Sequence, residues 1–295
     1  MNVSPQDPTT RANLIMPTTQ HAAEVSAGNR FQFGENWARF LNTLDESRIA
    51  VAEQSLKTML GRDSLAGLRF IDVGSGSGLF SLAARRLGAE VLSFDFDPQS
   101  VRCAQALRSR FFPDDASWVI HEGSVLDLEF IAGLGQFDIV YSWGVLHHTG
   151  HMWNALDLVT RLVQPGGQLF IAIYNDQGYI SRRWTRIKKL YCSGPVGRSL
   201  VKAICIPYFV LPPLLLDLVK LRDPTRIYRE YKRERGMSRV HDWYDWLGGY
   251  PFEVAKPEEI FNFYKAQGFE LQEMTTCGGG LGCNQFVFRR SLTQP

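Results

Sequence analysis

Three glycines spaced two apart, Gly74, Gly76 and Gly78, follow the apolar run FIDV at residues 70–73. Where a strand ends and releases a helix, the first amides of the helix are unpaired, and glycine lets a ligand approach the main chain closely. Such a turn can hold a nucleotide-like cofactor. The dinucleotide fingerprint needs a third glycine at position 79, where this chain has Leu79, and no triphosphate-loop Lys or Ser/Thr follows. A cofactor with a ribose and no phosphate fits better. Its ribose hydroxyls need an acid at the end of the next strand, and Asp95 in SFDFDPQSV stands there. Asp97 is read instead as the cap of a helix starting at Pro98.

A second set of reactive side chains lies further along. His147 and His148 close YSWGVLHH, where the fourth strand should open into the crevice. A histidine there is suited to take a proton from an acceptor hydroxyl or amine; its alternative role is to pack and hold the loop. Tyr174 and Asn175 end the fifth strand and face the same crevice as candidates for orienting an acceptor.

These residues require a scaffold that delivers strand ends to one edge. From residue 69 short apolar runs alternate with helical periodicities, the pattern of a parallel sheet with crossover helices. RFIDV, EVLSFD, SWVIH, FDIVYS and QLFIAI read as strands; LFSLAARRL, PQSVRCAQALRSRF and MWNALDLVTRLV read as helices. QPGG at 164–167 marks the turn out of the last helix. The alternation stops at Tyr174 and resumes with the helix KPEEIFNFYKAQG and the strands FELQEMT and NQFVFR. The domain reading is a mobile segment over 1–30, a helical extension or lid over 31–65, a core over 66–175 and 252–290, and a helical cap inserted over 176–251.

The motifs IDVGSGSG, SFDFDP, EGSVLD, FDIVYSWGVLHHTG and PGGQLFIAIYN, in that order, resemble the class I S-adenosylmethionine-dependent methyltransferases. The resemblance implies an α/β fold: a Rossmann-like, seven-stranded, mostly parallel sheet with helices on both faces, its final strand NQFVFR antiparallel between its neighbours. It also implies S-adenosyl-L-methionine as cofactor and S-adenosyl-L-homocysteine as product. On this likeness Asp72, Gly74, Gly76 and Gly78 line the methionine part, and Asp95 holds the ribose with Phe96 beside it. Ser124, Val125 and Asp127 approach the adenine, although Ser124 stands where many relatives carry an acid. Trp143 offers a ring face to the sulfonium.

The inserted cap has no such likeness to lean on. Arg182, Arg183, Arg186, Lys188 and Lys189 form one basic run, and Arg222 to Arg235 a second, read as solvated helix faces or as a site for an anionic partner. Between them, AICIPYFVLPPLLL at 203–216 falls short of the roughly 20 residues of a bilayer span and carries three prolines. It reads as a lid core or a greasy path to a lipid-like acceptor, which leaves peripheral membrane contact open. His241, Asp242, Trp243, Tyr244 and Trp246 form an aromatic and acidic cluster read as an acceptor pocket, with His241 and Asp242 as reserve catalytic groups. One histidine among local acids does not make a metal site, so no metal is expected.

The whole chain of 295 residues carries a formal net charge of +2 and is 45% hydrophobic, values that give no global pull toward polyanions. Its cysteines, Cys103, Cys192, Cys205, Cys277 and Cys283, show no CxxC pair and are read as reduced thiols of a cytoplasmic protein. The expected function is methyl transfer to an oxygen or nitrogen of a small acceptor such as a secondary metabolite, sugar or quinone-like lipid. The alternative is an RNA-binding or RNA-modifying protein that uses the basic cap helices. Oligomeric state is not legible.

Overall fold

The computed structural model describes residues 17–219, 223 and 246–292. The expected pocket residues His241, Asp242, Trp243 and Tyr244 and the basic run from Arg222 to Arg235 lie outside the described residues.

Seven strands form one sheet: β1 (Arg69–Val73), β2 (Glu90–Asp95), β3 (Trp118–Glu122), β4 (Phe137–Trp143), β5 (Val163–Tyr174), β6 (Phe269–Thr275) and β7 (Cys283–Arg290). Their order is β3-β2-β1-β4-β5-β7-β6. The first five are parallel, and β7 runs antiparallel between β5 and β6, as expected. Because successive strand residues point to opposite faces, β1 sends Phe70 to one core and Ile71 and Val73 to the other.

Ten helices among the described residues complete the layers. Three precede the sheet: α1 (Pro17–Ser26), α2 (Gly34–Leu41) and α3 (Glu46–Leu60). Within the core follow α4 (Leu79–Arg86), α5 (Pro98–Phe111), α6 (Leu128–Leu134) and α7 (Met152–Thr160). The insertion carries α8 (Tyr179–Cys192) and α9 (Pro195–Val219), and α10 (Pro257–Ala266) leads to β6. Leu56 of α3, Leu82 of α4 and Leu107 of α5 cover the Phe70 face, while Leu156 of α7 and Tyr264 of α10 cover the Ile71 face. Each such buried side chain contributes about 1.5–3 kcal/mol. As expected, Asp97 caps α5 by accepting from Gln99 N at 2.8 Å, with Pro98 in the first turn.

Three expectations need correction. Residues 17–30 are not a mobile tail: α1 lies on the core with His21 buried edge-on to Phe96, ring centroids 5.4 Å apart. Strand β5 begins at Val163 rather than Gln168. QPGG stays in the strand as an irregularity, since β4 pairs Phe137 with Val163 and then Ile139 with Gln168. The prolines of 203–216 do not interrupt the helix, because α9 runs through Pro207 and Pro212 on its exposed side, where the carbonyls they leave unpaired can reach water.

The insertion leaves and re-enters the core at one place. Asn175 bridges Ala255, and Ala255 N donates to Tyr174 O at 3.0 Å. Its inner face, Trp184, Tyr191, Val201, Cys205, Leu247 and Phe252, forms a separate small core. Lys188, expected on a solvated basic face, is turned into that core and is 1% exposed.

Candidate active site

Gly74, Gly76 and Gly78 all adopt positive φ, at 79°, 54° and 81°, which L side chains reach only with strain. Gly74 N and Ser75 N donate to Phe94 O at 2.9 and 3.0 Å, which fastens the turn to the end of β2. A Cβ at Gly74 would sit 2.3 Å from Val145 Cγ1, and one at Gly78 would sit 2.9 Å from Ala104 Cα. Val145, in the β4–α7 turn, therefore closes over the glycines; nothing in its spacing marked it in the sequence.

Asp95 closes the turn from the other side. Its Oδ2 accepts from Gly76 N and its Oδ1 from Asp97 N, each at 2.8 Å. Burial pushes its carboxyl up to about 6, against the pull of those two backbone bonds. Each oxygen keeps a lone pair for a further donor.

A cavity of about 320 Å³, within the range of small-molecule sites, is lined by Phe96, the residue after Asp95. Phe96, Ser124 and Leu126 line it from the strand ends, and Glu24 and Arg30 line it from the α1 side. Arg30 binds three elements at once. Its Nε donates to Glu24 at 2.6 Å, its Nη1 donates to His148 O at 3.0 Å, and its guanidinium lies over the Phe96 ring at 4.9 Å. Asp97 anchors the same extension, accepting from Gly34 N at 2.7 Å with His21 Nε2 at 3.7 Å. Burial lowers the His21 pKa. The N-terminal extension thus roofs the cavity, and Trp37 packs on Gly76.

Four residues expected at the cofactor turn out to be engaged elsewhere. Asp72 is buried beneath α4 and accepts from Ser81 Oγ at 2.6 Å. Val125 joins the hydrophobic core. Asp127 is exposed and caps α6, accepting from Glu129 N and Phe130 N. Trp143 is 43% exposed and donates to Gln285 on β7 at 3.1 Å, across β5 and away from the glycine turn.

The second half of the crevice is an aromatic box. Tyr174 packs at a tilt against His147 at 4.2 Å, with Phe252 at 5.1 Å and Trp246 at 5.6 Å between ring centroids. Phe33 from the N-terminal extension covers His148 at 5.0 Å. The Lys188 ammonium donates to Trp246 O and lies over the Trp246 and Phe252 rings at 4.1 and 4.7 Å. Asn175 does not join them: its amide donates to Gly280 O and accepts from Asn284 Nδ2, which ties β5 to the glycine-rich link before β7.

Both histidines are held neutral. His148 Nδ1 lies 2.6 Å from Pro251 O, so Nδ1 carries the proton and Nε2 is the acceptor. Burial lowers its pKa to about 3, so the proton-taking role near neutral pH expected from the sequence does not suit it. His147 accepts from Tyr174 N at 3.3 Å, and its Nε2 proton has no hydrogen-bond partner among the described residues. Burial holds it well below the ordinary histidine range. What the pair offers is one neutral acceptor and one buried donor beside the box.

Comparison with known proteins converges on the same core. Residues 71–171 match the family described as a methyltransferase domain. The ubiquinone biosynthesis O-methyltransferase of Sinorhizobium fredii is 29% identical over 143 residues, covering 46% of this chain and 55% of that protein. Its counterpart in Brucella ovis is 26% identical over 183 residues, covering 57% and 66%. The chain therefore spans between 55% and 66% of the length of these curated relatives. An O-methyltransferase family protein from Burkholderia thailandensis superimposes with a TM-score of 0.53 at 14% identity, over 96% of this chain and 74% of that one, a likeness of fold. Over residues 71–171 the core of this chain is thus similar to a methyltransferase domain, and its fold is that of the class I S-adenosylmethionine-dependent methyltransferases.

Proposed function

We propose that the protein transfers a methyl group from S-adenosyl-L-methionine to an oxygen or nitrogen of a small-molecule acceptor. The observation that carries this reading is the glycine turn fastened to Asp95 at the ends of β1 and β2, with Phe96, the residue after Asp95, on the wall of a cavity that Ser124 also lines. The Asp95 carboxylate beside the turn is already aimed by two backbone amides. Asp95 would accept from the ribose hydroxyls, and Phe96, Ser124 and Leu126 would flank the base. When bound, the cofactor supplies an electrophilic methyl on a sulfonium.

The chain's own residues supply position and dryness. In-line approach and water exclusion are the main requirements of such a transfer. The N-terminal extension, through Phe33 and Arg30, and the cap, through Trp246 and Phe252, close over the Tyr174 box. His148 Nε2 would accept a hydrogen bond from the acceptor hydroxyl or amine and orient its lone pair, and the proton released on methylation would leave to solvent. The names of the relatives in ubiquinone biosynthesis favour an aromatic hydroxyl as nucleophile and oxygen as the atom methylated. The cytoplasm is the proposed compartment, in keeping with cysteines free of disulfides.

The test is formation of S-adenosylhomocysteine from S-adenosylmethionine over a panel of catechols, phenols and amines, with Asp95→Ala alongside. Acceptor-dependent turnover that Asp95→Ala removes supports the reading. Turnover indifferent to every acceptor and to Asp95 contradicts it.

A further inference from the structure

Helix α9 has two apolar faces, and among the described residues only one of them is packed. Val201 and Cys205 are buried against Trp184 and Tyr191 in the cap core. On the other side Val196, Leu200, Ile204, Tyr208, Leu211 and Leu215, at steps of three and four, are each between 49% and 83% exposed. That spacing makes a continuous stripe about 29 Å long. Scattered surface hydrophobics need no explanation, but a contiguous stripe marks an interaction surface.

Charge selects the occupant. Between Asp176 and Asp217 the sequence has no acidic residue at all. Besides the buried Lys188, that stretch carries Arg182, Arg183, Arg186, Lys189, Arg198 and Lys202. The four on α8 are exposed and share the α8–α9 hairpin with the stripe, within which Trp184 stacks on Phe209 at 6.0 Å. Exposed apolar side chains joined to the exposed cations of α8 fit a surface that is greasy beneath and negative above. RNA would use the cations and leave the stripe wet. A partner helix would use the stripe and give no reason for the missing acids. No helix among the described residues is long and apolar enough to cross a membrane, which leaves contact from one side.

We infer that the α8–α9 hairpin docks on an anionic phospholipid bilayer, with the stripe inserted at the headgroup boundary and the α8 cations on the lipid phosphates. The inference stands apart from the methyl-transfer reading, because it uses none of the crevice residues.

The experiment is co-sedimentation of the full chain with phosphatidylcholine vesicles, with and without phosphatidylserine, at low and high salt. Wild type should sediment with the anionic vesicles, bind neutral ones more weakly, and release as salt screens the cations. Ile204→Glu should lower binding at least about tenfold, and Arg182→Ala with Arg183→Ala should flatten the salt dependence. Both sets of changes are at exposed positions, so an unchanged melting temperature is expected; if Ile204→Glu fails to fold, Leu200→Glu on the same stripe replaces it. Absence of sedimentation with anionic vesicles, or binding that Ile204→Glu leaves intact, overturns the inference. So does a wild-type dimer that Ile204→Glu splits, which would assign the stripe to a second copy. Binding of homopolymeric RNA in place of vesicles, equal in wild type and Ile204→Glu, overturns it as well.

Discussion

At the carboxyl ends of β1 and β2 the main chain does the holding. Glycines at positive φ make the turn, amides of Gly76 and Asp97 fix Asp95, and a carbonyl of Phe94 secures the turn. At the ends of β4 and β5 side chains do it, with Tyr174, His147, His148, Phe33, Trp246 and Phe252 packed tilted or edge-on against one another from four separate segments. Backbone recognition demands particular residues at particular spacings, so it leaves a mark in the sequence. An aromatic box can be assembled from many sequences, and its members stand far apart in the chain. The two ends should therefore differ in how they fail: the first through affinity for the cofactor, the second through the rate of transfer.

The largest effect is expected at Gly74. Gly74→Val places a branched side chain at positive φ against Val145, and S-adenosylhomocysteine affinity should fall at least about 100-fold by calorimetry. Affinity within a few fold of wild type would break the claim that the turn must be bare.

Next comes His148→Ala, which removes the neutral Nε2 acceptor. The catalytic rate should drop about 10- to 100-fold, short of the 10²–10⁴ of a full general base, with cofactor affinity nearly unchanged. Because burial holds the imidazole at about 3, the wild-type rate profile should show no limb near 6–7 that the substitution erases. Finding that limb would restore the base.

A smaller effect sharpens the boundary between the two ends. Arg30 touches both, through Phe96 and through His148 O. Arg30→Ala should weaken S-adenosylhomocysteine binding about three- to tenfold and lower the rate by a similar factor. Loss of one without the other would assign Arg30 to a single end.

The smallest effect concerns the frame beneath the turn. Burial raises the Asp72 carboxyl to about 7 from a model-peptide value of 3.8. The unfolded chain thus releases this proton near pH 4 and the folded chain near pH 7. Its contribution to stability is complete below pH 4 and lost as pH rises to 7. Asp72→Asn keeps an acceptor for Ser81 and removes that loss. Its melting temperature should match wild type at pH 4 and exceed it by at least about 2 °C at pH 8. Parallel melting curves at both pH values would contradict the assignment.

How far the sequence could be read follows the same division. The strands, the place of the glycine turn and of Asp95 at the ends of β1 and β2, the Asp97 cap on α5 and the antiparallel β7 are legible because period, spacing and capping chemistry are local. Helix α1 is not legible, since its docking rests on His21 and Arg30 reaching Phe96, Asp97 and His148, contacts no periodicity announces. Lys188 was grouped with the basic run around it, yet only its own side of α8 faces the cap core. Trp143 and Asn175 have suitable residue types at suitable strand ends, but Gln285, Gly280 and Asn284, all brought in by β7 and its approach, already occupy them. Those partners come from the far end of the chain, where spacing around residues 143 or 175 carries no information.

The central claim, that Asp95 at the glycine turn holds the cofactor through its carboxylate, is tested most directly by titrating S-adenosylhomocysteine calorimetrically into wild type and Asp95→Ala at pH 7.5 and pH 5.0. With the Asp95 carboxyl at about 6, it is ionised at the higher pH and largely protonated at the lower. Wild-type affinity should fall about tenfold between the two, while Asp95→Ala should bind weakly at both and show no such fall. Equal affinity in the folded Asp95→Ala protein, or a tenfold pH effect that survives the substitution, would contradict the account.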